Sequence, residues 1–403
     1  MVDILNMKEE DKTMKERVLG LIENLERELI ELSEKIYENP ELGYEEFFSS
    51  KAHMEILKKY GFDVEENYMD METGFKAVYD SKKEGPTVAY LIEYDALPGI
   101  GHGCGHNILG TTSTGAAIVL KMILDEVGGK VIAFGTPAEE TSGAKVTYVN
   151  NGAFDDVDFA MMAHPNFSFN RSGKSLALEA IEFEFTGKTS HAASSPEKGI
   201  NALDACINTF NTINALRQQI RSDARVHGVI TDGGEAANII PEKAVAQFYV
   251  RAQTKTYLDE LVERVKNCAR GSALAAGATL SIRNYENSYD NMVTNKIMDN
   301  LFVDKLVEFG VERDKIEDPR EGYGSLDAGN VSHVCPTIHP YFDITNDRSI
   351  AAHTRDFASC TLTPYAYESM KKTIGALVLT AVDVMKDKDL LSSIKDEFNN
   401  TEK

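Results

Sequence analysis

The chain has 403 residues, 42% of them apolar and 26% charged, a balance that fits a folded globule with room for two domains and a large core. Its net charge of −22 excludes nucleic acid and an anionic membrane surface as partners, because phosphates are gripped by Lys and Arg. Five scattered cysteines, Cys104, Cys206, Cys268, Cys335 and Cys360, make no disulfide framework and point to a reducing, cytoplasmic setting.

Met1–Arg17 is charged and lacks the apolar core of a signal peptide. No apolar run approaches the roughly 20 residues that a spanning helix needs. Leu21, Leu25, Leu29, Leu32 and Ile36 recur at helical spacing, and Pro40 follows the helix they predict. Ser49–Tyr60 predicts a second helix, with Gly61 as its C-cap. Strand and helix patterns then alternate: strand Thr87–Ile92, helix Gly110–Glu126, strand Val131–Gly135, a helix near Gly143–Asn151, strand Val157–Ala163. Such alternation predicts an α/β fold, a mixed, largely parallel sheet with helices on both faces.

At Ala177–Phe185 the pattern changes to strict alternation, the mark of a half-exposed antiparallel strand. A helix over Asn201–Ile220, strands Val226–Thr231 and Ala244–Gln253, a helix over Tyr257–Gly277 and strand Ala278–Tyr285 follow. Two helices on a four-stranded antiparallel sheet make an inserted α+β lid. The expected boundaries are residues 1–174 and 289–403 for a catalytic domain in two parts, and 175–288 for the lid. Alternation resumes from Val293, a last helix covers Tyr365–Met385, and the charged tail after Lys386 is expected to fray.

The most informative segment is Gly101–Asn107, GHGCGHN, just after the strand Thr87–Ile92. Its glycines let the backbone turn sharply, so that the Cys104 thiol and the His106 imidazole can converge. Such a pair suits a transition metal. It also suits a nucleophilic Cys–His couple, or a glycine-rich turn around a buried cysteine. A dinucleotide loop fits poorly, because G-x-G-x-x-G read from Gly99 ends on Cys104, and from Gly101 on His106. Three further features favour metal. Glu139 and Glu140 follow the strand Val131–Gly135, His164 follows Val157–Ala163, and His353 lies far downstream. Adjacent carboxylates on extended backbone point apart, so one can ligate while the other handles protons. Open α/β sheets build their sites at strand carboxyl ends, where these residues recur.

Seven motifs, in order, carry a resemblance to a known family: Asn39-Pro40-Glu41-Leu42-Gly43, Tyr94-Asp95-Ala96-Leu97-Pro98, GHGCGHN, Pro137-Ala138-Glu139-Glu140, Ala163-His164-Pro165, Ser190-His191-Ala192-Ala193 and Asn238-Ile239-Ile240-Pro241. From about Glu31 to the last helix the chain resembles the aminoacylase/carboxypeptidase family of two-metal peptidases, in its amidohydrolase branch. Glu93-Tyr94-Asp95 and the Asn after CGH are similar to the aminobenzoyl-glutamate hydrolase group and its dipeptidase relatives. Peptidase branches carry a His where this chain has Glu93, so their ligand set does not transfer.

The resemblance implies Cys104, His106, Glu140, His164 and His353 as ligands of two divalent metal ions, and Glu139 as general base. Cysteine favours zinc; manganese, cobalt or nickel also suit such ligands. The resemblance further implies His191 as donor to the tetrahedral oxyanion, supplied across the interface in relatives that dimerise through the lid. It implies Asn238 and Arg251 as the grip on a substrate carboxylate, and a rim role for Ser325 and Asp327. His102 is expected to support the metal loop; His53, His227, His333 and His339 carry no motif and are expected to be structural. The expected function is metal-dependent hydrolysis of the amide in a small N-acyl or aminoacyl amino acid with a free carboxylate, in a homodimer or beside a related sister subunit. The alternatives are a cysteine amidase using Cys104 and a non-catalytic carboxylate-binding subunit. Glu139 beside the implied ligands argues against the latter. Dispersed ligands argue against a structural zinc site.

Overall fold

The computed structural model describes residues 2–319 and 324–403. The chain divides into two compact units. The first comprises Met1–Lys174, Val293–Glu321 and Asn330–Glu402; the second comprises Ser175–Met292 with Gly322–Gly329 and Lys403.

In chain order the elements are α1 (Val2–Glu38), α2 (Phe47–Lys59), β1 (Asp63–Glu66), β2 (Phe75–Asp80), β3 (Thr87–Ile92), α3 (His106–Val127), β4 (Lys130–Gly135), α4 (Ala144–Asn150), β5 (Phe159–Met161), β6 (His164–Asn166) and β7 (Phe169–Asn170). The second unit supplies β8 (Ala177–Thr186), α5 (Ala202–Leu216), β9 (Arg225–Asp232), β10 (Lys243–Ala252), α6 (Lys255–Ala276) and β11 (Thr279–Asn284). Then come α7 (Lys296–Glu308), β12 (Ile316–Glu317), α8 (Ala328–Val334), β13 (Thr337–Ile338), β14 (Tyr341–Asp343), α9 (Arg355–Cys360), α10 (Pro364–Lys386) and α11 (Lys388–Asn400).

The main sheet of the first unit has the order β1-β2-β4-β3-β5-β13. Strands β4, β3, β5 and β13 run parallel, while β2 pairs antiparallel with both β4 and β1. The fold is therefore α/β with a mixed, largely parallel sheet. Every residue of β3 is buried, which is why its sequence is a continuous apolar run. Val18, Ile22, Leu25, Leu29, Leu32 and Ile36 of α1 are buried, while Leu21 is half-buried against the same core. Gly115 lets α3 approach α1 and α10 closely: a Cβ there would lie 2.8 Å from Ile374 and 3.0 Å from Leu29. By length and composition α3 could cross a membrane, contrary to the expectation that no run is long enough. Its apolarity follows from its place among α1, α10 and the sheet.

A smaller sheet, in the order β12-β7-β14-β6, pairs His164 with Tyr341 in parallel register. The second unit is an antiparallel sheet, β11-β8-β10-β9, with α5 and α6 packed against it.

Three further expectations need correction. Helix α3 begins at His106 rather than Gly110, because the glycine-rich turn is complete at Gly105. Strand β8 is largely buried rather than half-exposed. It lies between β11 and β10, and its polar alternates are paired. Glu179 meets Lys266 at 3.3 Å, and Glu182 accepts from Gln247 at 2.9 Å and Arg283 at 2.7 Å. The charged tail forms α11 instead of fraying. Asp387 caps it by accepting from the Asp389 and Leu390 amides, Ile394 is fully buried, and the Glu397 carboxylate accepts from the Lys296 and Ile297 amides at the start of α7. An anion at a helix N-terminus is favourable.

Candidate metal centre

The loop between β3 and α3 brings the thiol and imidazole into place. Gly105 is the N-cap of α3 with φ +80, and a Cβ there would lie 2.6 Å from Pro165. Only glycine satisfies both conditions. Asn107 ties the start of α3 to its neighbours, donating to Ser33 Oγ and Thr361 Oγ1, each at 3.1 Å. His353 adopts φ +65 and its amide donates to the Gly103 carbonyl at 2.8 Å, so the downstream histidine is fastened to the Cys104 loop.

Five of the expected residues then converge. Cys104 Sγ lies 3.6 Å from His164 Nε2 and 3.5 Å from His353 Nε2. His353 Nε2 is 3.6 Å from Glu140 Oε1. The ligand atoms of Cys104, His106 and His164 lie within 4.8 Å of one another, as do those of Cys104, Glu140 and His353. Cys104 belongs to both triads. Glu139 joins a third group with His106 and Glu140, which places it beside the others.

The chemistry of these donors fits cations. His106 Nδ1 donates to Asp95 Oδ1 at 2.8 Å, and His164 Nδ1 donates to the Pro165 carbonyl at 2.8 Å. Each bond engages Nδ1 and leaves Nε2 as the atom that can face a metal, the usual support for a metal-binding histidine. His106 Nε2 and Glu140 Oε1 are buried without a hydrogen-bond partner among the described residues. Buried polar atoms rarely go unpaired; a cation would satisfy both. Burial pushes the Cys104 thiol up. Burial, with His339 and His106 nearby, lowers His164 to about 3. Burial also works against charge on His106, yet the Asp95 carboxylate and Cys104 hold it well above the usual imidazole value. A cation would displace the protons that Cys104 and His106 keep.

Several neighbours support the site without having been assigned a part in it from the sequence. Asp95 also accepts from the Glu140 amide at 2.8 Å, so one carboxylate orients two candidate ligands. Glu46, fully buried, accepts from the Ala138 amide at 2.7 Å and Thr73 Oγ1 at 2.9 Å. Ala138 has φ +62, a strained state for a residue with a Cβ, and it precedes Glu139. Glu46 and Asp95 thus hold the backbone on either side of the expected base. Glu93 is buried, takes the buried Lys145 at 2.7 Å and lies 3.3 Å from His106 Nε2. Burial would raise its pKa, but Lys145 and His106 hold it below the usual range. His339, expected to be structural, is buried with its ring 5.6 Å from that of His164. Glu93 and Asp95 stand in the motif that follows β3, whereas Glu46, Lys145 and His339 become visible only through their partners.

His102 turns away from the ligands. Its Nε2 lies 3.1 Å from the Ile36 carbonyl, so it braces the loop against α1. His53 pairs with Thr114 Oγ1 at 2.9 Å.

In the second unit, His191 is exposed and bridged to Ile239. Its Nδ1 accepts from the Ala193 and Ser194 amides, both at 3.2 Å, which leaves Nε2–H as an outward donor. The exposed Asn238 accepts from the Ala192 amide through its carbonyl at 3.0 Å. Arg251, half-buried on β10, donates to Ser325 Oγ at 2.9 Å, so Ser325 is its partner. Asp327 is buried.

A largely parallel α/β sheet with two donor triads sharing a thiol defines a metal-dependent hydrolase. Comparison with known proteins agrees. Residues 177–275 match the peptidase dimerisation domain of the M20 family. The chain is 34% identical to mouse Xaa-Arg dipeptidase, over 96% of this chain and 92% of that protein. It is 34% identical to one of the subunits of p-aminobenzoyl-glutamate hydrolase from Escherichia coli, over 70% of this chain and 62% of that one. Among solved structures, its fold matches the aminobenzoyl-glutamate utilization protein of Klebsiella pneumoniae, with a TM-score of 0.71 at 19% identity over 90% and 97% of the two chains. It also matches a dinuclear metal-binding peptidase of the M20 family from Bacillus subtilis, with a TM-score of 0.64 at 19% identity over 89% and 99%. The chain belongs to the M20 family of metallopeptidases, enzymes that hydrolyse amide bonds.

Proposed function

We propose that this chain hydrolyses the amide joining an acyl or aminoacyl group to a small amino acid with a free carboxylate, at a centre of two divalent cations. The pair of triads sharing Cys104, with Glu139 beside them, carries this reading. The similarity to Xaa-Arg dipeptidases over nearly their whole length supports dipeptides ending in arginine as the foremost substrates. The p-aminobenzoyl-glutamate hydrolase relative supports acylated glutamate as the next class.

His106 and His164 would hold one cation, Glu140 and His353 the other, and the Cys104 thiolate both. Cysteine favours zinc, and the imidazoles and carboxylate also suit manganese or cobalt. Bound there, the cations supply Lewis-acid polarisation of the amide carbonyl and a lowered pKa for water. Glu139 takes the proton of the attacking water and delivers it to the leaving amine. Its carboxylate is poised because Glu46 and Asp95 fasten the flanking amides. His191 gives its Nε2 proton as a hydrogen bond to the developing oxyanion. Arg251, with one donor spent on Ser325, grips the substrate carboxylate with its remaining fork, and Asn238 assists.

We place the enzyme in the cytoplasm, as a homodimer formed through the second unit. A sister subunit is the alternative partner. The second unit exposes Val229 on the edge strand β9, Ile207 on α5 and Leu274 on α6.

A cysteine amidase would use Cys104 as nucleophile. Against this, the buried thiol meets two imidazole nitrogens rather than a single base, and burial holds it protonated. The deciding experiment is exhaustive chelation. Hydrolysis of alanyl-arginine should vanish, and zinc, manganese or cobalt should restore it. Activity that survives chelation and dies on thiol alkylation refutes the metal reading.

A further inference from the structure

Tyr341 stands at the metal centre with a hydroxyl that none of the roles above employs. It opens β14, and the parallel register sets it directly beside His164 on β6. Paired residues on neighbouring strands project from the same face of a sheet, so the phenol stands on the side where His164 Nε2 meets Cys104. The ring centroids of Tyr341 and His164 are 5.7 Å apart, and the ring is also 5.1 Å from that of His339. This packing uses the ring alone, and phenylalanine would serve it equally. The hydroxyl of this half-buried residue makes no hydrogen bond among the described residues and is not sealed from solvent, so it is free to meet a substrate.

The surroundings narrow its role. A phenol is protonated at neutral pH, so this hydroxyl can donate to a developing oxyanion. Several donors of the first unit around the ligands are committed elsewhere: His106 Nδ1 to Asp95, His164 Nδ1 to Pro165, and Lys145 to Glu93. A hydrolytic centre needs a donor where negative charge develops on the amide oxygen. Resting on the hydrolase reading, we propose that the Tyr341 hydroxyl is a catalytic hydrogen-bond donor that contacts the tetrahedral oxygen of the amide substrate.

Tyr341→Phe tests it, because only the hydroxyl is lost. The turnover number for alanyl-arginine should fall on the order of 10- to 100-fold, while KM changes by less than about threefold. Zinc affinity, read by competition with a chromophoric chelator, should stay at the wild-type value. Affinity of the zinc-loaded protein for the phosphinic isostere of alanyl-arginine, read by calorimetry, should weaken by a factor comparable to the turnover loss. Unchanged turnover and phosphinate affinity in Tyr341→Phe overturn the proposal and leave the hydrolase reading standing. A fall in zinc affinity that accounts for the lost turnover also overturns it, since the tyrosine would then only pack against His164. A wild-type protein that neither cleaves the dipeptide nor binds the phosphinate overturns both readings.

Discussion

Glu46 shows how a single buried carboxylate can prepare a site it does not touch. Burial, reinforced by the charge on Asp95, raises its pKa from 4.5 to about 7. The folded state therefore binds its proton more tightly than the unfolded state does. Its contribution to stability is fully present below the unfolded value and is lost as pH rises through the folded one. A shift of this size corresponds to on the order of 3 kcal/mol. Glu46→Gln mimics the protonated form, since its amide oxygen can still accept from Ala138 while its NH2 group donates to Thr73 Oγ1. Urea titrations between pH 5 and 7.5 should show the wild type losing stability relative to Glu46→Gln as pH rises. Parallel pH profiles for the two proteins would show that Glu46 titrates alike folded and unfolded. Glu46 cannot be singled out from the sequence, where it is one of many acidic residues near Pro40; its partner Ala138 lies far along the chain. Cys104, His106 and His164 stand out because cysteine and histidine are rare and follow strand patterns, whereas Glu140 and His353 enter as ligands through the resemblance. Tyr341 and His339 do not stand out, because only the parallel pairing of β6 with β14 brings that segment to His164.

Helices and strands are legible where one period dominates. Strand β3 is a pure apolar run whose ends in the sequence are its ends in the sheet, and the stripe of α1 buries as its spacing requires. Reading fails where tertiary partners decide. Strand β8 alternates as a half-exposed strand does, but Lys266, Gln247 and Arg283 occupy its polar side. Helix α11 looks like a charged tail because only Ile394 is fully buried along it. Its docking rests on that side chain, on Asn295 Nδ2 donating to the Ile394 carbonyl at 2.9 Å, and on Glu397 at the start of α7. Ile394→Ala should therefore free α11, at a cost of about 2–4 kcal/mol. Hydrogen exchange is the direct measurement: amides of residues 388–400 should be protected in the wild type and exchange faster in the variant, while α3 keeps its protection. Wild-type α11 amides that exchange as fast as an unstructured peptide would contradict the docking.

For the molecule as a whole, the decisive matter is how its two units share the work. The first holds all five candidate ligands and Glu139; the second holds His191, Asn238 and Arg251. Neither set is complete by itself for the proposed reaction: the first lacks the carboxylate grip and the His191 donor, and the second lacks the base and the metal ligands. The match of residues 177–275 to a peptidase dimerisation domain makes a homodimer of 44.5 kDa chains the expected species, checked by light scattering. In that dimer we expect His191 to serve the partner's site. Glu139→Gln and His191→Ala homodimers should each be nearly inactive, the first for lack of a base and the second by a loss of roughly 100-fold or more in turnover. Mixed and allowed to exchange at equal concentration, they should form hybrids in which one site has both an intact Glu139 and an intact His191 from the other chain. Random pairing predicts recovery of about a quarter of wild-type activity. Exchange must be shown independently, for example by energy transfer between subunits labelled at a cysteine introduced in α11. Proven exchange without recovery would refute service across the interface, because a histidine acting on its own chain leaves every hybrid site one residue short.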